Sequence, residues 1–169
     1  MSSFMLPEKH PLFGLNDEQI KILYRQRLDY DCGPTAVAFM LGEDPDFVRK
    51  HLPHSPEKGT NPDDVILFLM EQGKRPYRAC RGIMPKAPLL VNYQHKFPDG
   101  TVEGHYGVIV ASSMDYCYTI FDPWLGEFFT IGDAQFAVSW YSKNYYEMWG
   151  CWVEPALDLS PWFVPELNK

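Results

Sequence analysis

Asp31-Cys32-Gly33-Pro34-Thr35-Ala36 leads without a break into Val37-Ala38-Phe39-Met40-Leu41 and halts at Gly42. Glycine and proline sit poorly inside a helix, but proline suits the first turn, where its missing N–H is not needed and its φ is already helical. The apolar run and the glycine stop complete a helix over about Gly33 to Leu41. Cys32 is thereby placed at a helix N-terminus. There, unpaired N–H groups and the positive end of the helix dipole favour an anion, and the anion of a thiol is its nucleophilic form. A lone cysteine is otherwise a small core residue, so its partners decide between the two roles.

Gly104-His105-Tyr106-Gly107-Val108-Ile109-Val110-Ala111 reads as a strand, and after the polar turn Ser112-Ser113-Met114-Asp115 a second strand follows, Tyr116-Cys117-Tyr118-Thr119-Ile120-Phe121. Two such runs joined by a short turn form a β-hairpin. In an antiparallel pair the start of the first strand lies beside the end of the second, so His105 and Asp122 are expected together at one end of the sheet. Asp122 then orients the imidazole. A histidine in a strand is more often structural and an Asp before Pro123 more often a turn former. The two together, in a chain that also carries Cys32, point to nucleophilic catalysis.

Gln26 with Asp31-Cys32-Gly33-Pro34-Thr35-Ala36, then Gly104-His105-Tyr106 with Val108-Ile109-Val110, then Ile120-Phe121-Asp122-Pro123 with Gly126, resembles in order and spacing the bacteriocin-processing, double-glycine-leader cysteine peptidases and their stand-alone relatives. That family lies within the papain-like superfamily. The resemblance covers about Arg25 to Gly126 and implies an α+β papain-like fold, with a helical half bearing Cys32 packed on an antiparallel sheet bearing His105 and Asp122. It implies Cys32 as nucleophile, His105 as general base and acid, Asp122 as the group orienting His105, and Gln26 as oxyanion donor beside the Cys32 N–H. Gly104 and Trp124 are the candidate substrate-binding residues, with Trp124 lining the cleft or shielding the His105–Asp122 pair. The expected activity is hydrolysis of a peptide or isopeptide bond, with no metal or cofactor. Acyl transfer to an amine, as in transglutaminase-like enzymes, uses the same thiol, and a non-catalytic papain-like interaction module is the alternative from another class.

With 169 residues, 46% hydrophobic and 15% aromatic, the chain reads as one domain, residues 1–169,. It contains no apolar segment long enough to span a bilayer, and Met1-Ser2-Ser3-Phe4-Met5-Leu6-Pro7-Glu8 lacks the features of a secretory signal, so a cytoplasmic protein is expected,. Its four cysteines, Cys32, Cys80, Cys117 and Cys151, are widely spaced and suggest neither a zinc ribbon nor a disulfide scaffold,. A formal net charge of −7 argues against general affinity for nucleic acid or anionic membrane, leaving a peptide or protein substrate as the expected partner,. The basic stretch Lys74 to Arg81 reads as a solvated strand edge rather than an RNA-binding patch. His10, His51, His54 and Glu57 lack metal-ligand spacing and read as surface residues.

Asn16 with Gln19 marks a capping box for a helix through Leu23. Further helices are expected over Asp44 to Leu52 and Asn61 to Gly73. Strands are expected over Pro76 to Ala79, Pro88 to Tyr93, His105 to Ala111, Tyr116 to Phe121, Glu127 to Ile131 and Tyr145 to Val153, with a helix near Gly132 to Tyr141. The aromatic run Trp140 to Trp149 reads as core. The tail, residues 154–169, is expected to wrap over the body.

Overall fold

The structure, a computed structural model, describes residues 6, 8, 10–78, 89–96, 102–112, 117–132 and 145–152. Four helices come first: α1 (Asp17–Tyr24), α2 (Cys32–Leu41), α3 (Pro45–His51) and α4 (Pro62–Glu71). Six strands follow: β1 (Arg75–Arg78), β2 (Leu89–Lys96), β3 (Val102–Ser112), β4 (Cys117–Asp122), β5 (Glu127–Gly132) and β6 (Tyr145–Trp152). The architecture is α+β, helices before strands, with the strands in one sheet of order β1-β6-β2-β3-β4-β5. Every pairing in it is antiparallel.

Helix starts follow local chemistry. The capping box at α1 forms, with Gln19 N donating to Asn16 Oδ1 at 2.8 Å and Asn16 N to Gln19 Oε1 at 2.9 Å,. Asp44 and Asn61 cap α3 and α4 by accepting from Asp46 N at 3.0 Å and Asp63 N at 2.8 Å, each ahead of a first-turn proline,. α2 differs: Asp31 makes no side-chain cap bond. Its far end closes on Gly42 at φ 68°, where Gly42 N donates to Phe39 O and Glu43 N to Ala38 O,. Residues Cys32 through Met40 are all buried, as a helix apolar on every side requires, and α2 packs against α1, α3, β2 and β3,.

β2 and β3 pair over more residues than their apolar runs suggest. Leu89 to Lys96 lies opposite Ile109 to Val102 in unbroken register, because main-chain hydrogen bonding, not side-chain polarity, carries the ladder,. Leu90, Tyr106, Val108, Val110 and Phe121 join the helical core from one face, and Leu89, Val91, Ile109 and Ile120 on the other face are buried too. Phe39 of α2 stacks on Phe121 with ring centroids 3.9 Å apart and meets Phe128 edge-on, locking the central helix to β4 and β5,.

β1, Arg75–Arg78, forms one edge of the sheet, and the rest of the expected basic strand edge, Ala79 to Arg81, falls outside the described residues. Tyr145 to Trp149 of the aromatic run lie in β6. The expected helix near Gly132 to Tyr141 begins on Gly132 of β5 and otherwise falls outside the described residues, as does the tail at 154–169. Among the described residues no helix is long and apolar enough to cross a membrane.

Candidate active site

β3 and β4 pair through Val108↔Phe121 and Ile109↔Ile120, so Asp122 falls one step beyond the last registered pair, diagonal to His105,. The two side chains meet there, His105 Nε2 lying 2.7 Å from Asp122 Oδ1. Both are mostly buried, with 12% and 20% of their side-chain surfaces exposed. Asp122 Oδ1 also accepts from Trp124 N at 2.9 Å, so one oxygen is held by the ring and by the chain that follows it.

The turn carrying Asp122 is fixed from below. Gly126 N donates to Asp122 O at 2.8 Å, and Gly126 has φ 68°. A Cβ at Gly126 would stand 3.2 Å from Lys21 O and 3.1 Å from Arg25 Cβ, so only glycine lets this turn seat against the end of α1,. Gln26 N donates to Pro123 O at 2.8 Å, which ties the loop bearing Gln26 to the turn bearing Asp122.

Cys32 is 7% exposed at the start of α2 and lies near enough to His105 to act on its titration. Burial alone pulls the imidazolium pKa down, but the hydrogen bonds with Asp122 and Cys32 and the negative charge of those groups outweigh it, pushing His105 up to about 9,. Thr60 helps to bring the two residues together. Its side chain lies against Gly33, where a Cβ would come within 2.3 Å of Thr60 Oγ1, and its carbonyl accepts from Tyr106 OH at 2.8 Å. The neighbours of Cys32 and of His105 thus both grip Thr60.

Gln26 is buried at 9% exposure, and its Nε2 donates to Leu28 O at 2.7 Å, using one of two amide hydrogens,. Among the described residues Gln26 Oε1 finds no hydrogen-bond partner. With Glu18, Lys21, Ile22, Arg25 and Arg27, Gln26 lines an open hollow of about 400 Å³. Trp124 is 45% exposed and engages Asp122 through its main chain. Gly104 lies on β3 opposite Gln94, next to His105.

Asp31 has no role that the sequence announces. The structure buries it completely, and its carboxylate accepts from Arg49 Nε at 2.9 Å, Leu28 N at 3.1 Å and Arg27 N at 3.3 Å. An aspartate just before a helix is the available signal, but it suggests a cap, and this side chain turns back onto the preceding loop instead,. The first-turn N–H groups of α2 therefore do not receive the Asp31 side chain.

His10, expected at the surface, is 7% exposed beside Phe39, with Nδ1 accepting from Leu12 N at 3.1 Å. The flanking apolar Leu12 carries it into the core. Among the described residues no group of three or more His, Cys, Asp or Glu side chains is placed to hold a metal ion. No protein-family model and no curated protein matches the chain.

Proposed function

We propose that this chain is a papain-like thiol hydrolase that cuts a peptide or isopeptide bond. The observation that carries the proposal is His105, hydrogen-bonded to Asp122 and acted on by the Cys32 side chain at the start of a buried helix. The order of Gln26, Cys32, His105 and Asp122, and its resemblance to the bacteriocin-processing peptidases, supports the same reading. In the reaction, Cys32 sulfur attacks the substrate carbonyl and His105 protonates the departing amine. Water, deprotonated by His105, then attacks the acyl-enzyme and releases the acid. In this reading the Cys32 N–H and the second hydrogen of Gln26 Nε2 serve as the oxyanion donors, where losing one donor costs about 10²–10³ in rate. Gly104 and Trp124 border the substrate.

The test is labelling of the native protein with iodoacetamide, locating the adduct by mass spectrometry in wild type and His105→Ala. Rapid labelling at Cys32 that is lost in the variant supports the nucleophile. Labelling no faster than that of an ordinary accessible thiol in both proteins would sink it and favour the interaction module. With a cleaved peptide in hand, ¹⁸O from water in the new carboxylate shows hydrolysis, whereas a required amine acceptor moves the activity to acyl transfer.

A further inference from the structure

Asp31 adjoins the nucleophile and is fully buried. Such a carboxylate is costly unless paired and saturated with donors, and replacing a buried ion pair by apolar residues is often neutral or stabilising. The Asp31–Arg49 pair therefore calls for a role beyond stability. Its geometry supplies one. Leu28 is gripped at both ends: its N–H donates to Asp31 Oδ1 at 3.1 Å, and its carbonyl accepts from Gln26 Nε2 at 2.7 Å. Asp31 Oδ2 takes Arg27 N and Arg49 Nε, and Arg49 Nη2 reaches into the first turns of α2 to donate to Thr35 Oγ1 at 3.2 Å. With its Oε1 unpartnered, the Gln26 amide is oriented through Nε2 and Leu28.

We propose that Asp31, held by Arg49, is a positioning residue of the oxyanion site, setting the Gln26 amide against the start of α2 through the main chain of Leu28. The proposal rests on the reading of Cys32 as nucleophile and Gln26 as oxyanion donor. It distinguishes Asp31 from Asp122: Asp122 acts on the histidine, Asp31 on the carbonyl oxygen of the substrate.

Two probes of Cys32 in the full chain separate these roles. With 4-nitrophenyl acetate the thiolate adds to a carbonyl, an oxyanion forms and collapses, and 4-nitrophenolate leaves as Cys32 is acetylated. With iodoacetamide the thiolate displaces iodide at a saturated carbon and no oxyanion arises. Asp31→Asn is expected to slow acetylation by about 10²-fold while alkylation keeps its rate, and adding Gln26→Ala to it brings no further loss. Should Asp31→Asn fail to fold for want of a partner to Arg49, Asp31→Leu/Arg49→Met removes both charges and is expected to show the same selective loss. Equal effects on both probes, no effect on acetylation, or losses that multiply with Gln26→Ala overturn the proposal. If wild-type Cys32 reacts with neither probe faster than an ordinary thiol, the nucleophile reading itself falls.

Discussion

His105 meets Asp122 and Cys32, and its titration reports both. Its pKa is up to about 9 because the hydrogen bonds and negative charge of Asp122 and Cys32 outweigh the burial that pulls it down,. Removing either partner leaves burial less opposed. Followed by NMR of the imidazole carbon between the nitrogens, the wild-type midpoint is expected near 9, and Asp122→Asn and Cys32→Ser are each expected to lower it. A midpoint that ignores Cys32→Ser would mean that thiol and ring do not interact. The pairing of His105 with Asp122 was legible in the sequence, because a hairpin brings the start of one strand beside the end of the next,. The grip of Asp31 on Leu28 and Arg49 was not, since a buried carboxylate and a capping one look alike in a string of letters.

At the scale of elements, the site depends on how α2 is clamped. Phe39 stacks on Phe121, the residue before Asp122, so one ring pair holds the helix that bears Cys32 to the strand that carries the partner of His105. Phe39→Ala is expected to cost about 3–5 kcal/mol in denaturant unfolding and to leave less of the His105 shift in the folded remainder. Gly33 holds the other end. Alanine is the better helix former by about 1 kcal/mol, yet at position 33 its Cβ would meet Thr60 Oγ1 at 2.3 Å and Thr60 Cβ at 2.5 Å,. Gly33→Ala is therefore expected to lower stability by about 1–3 kcal/mol, and a raised melting temperature would show that Thr60 yields freely. Local signals of cap, proline and glycine located the four helices of the described residues to within a residue or two. No local signal distinguishes a glycine tolerated in a helix from one that another segment demands.

At the scale of the whole molecule, two buried histidines shape the pH dependence of folding from opposite sides. His10 is lowered to about 4 by burial; a second proton would have to displace Leu12 N from Nδ1. As pH falls from 6.5 towards 4 the unfolded chain binds a proton that the native one refuses, and stability drops by about 3 kcal/mol,. His105 acts in the other direction: its contribution is fully present below 6.5 and is lost as pH rises through about 9, because the native state keeps a proton that the unfolded state has released,. Melting temperature is thus expected to be highest near neutral pH. His10→Phe is expected to flatten the acid limb and His105→Ala the alkaline one, read by calorimetry across pH 4 to 10; slopes unchanged by either variant would refute the assignment.

The sequence alone determined what depends on neighbours along the chain: the helix termini, where caps and prolines act within a turn, the alternation of the strands, and the hairpin that puts His105 beside Asp122,. Only the tertiary structure decided what depends on long-range packing. It inserted β6 between β1 and β2, and it carried Thr60 between Gly33 and Tyr106. It also turned Asp31 away from the helix it precedes. Such contacts join residues far apart in the chain, and their energy comes from shape and burial that exist only once the core has closed around α2.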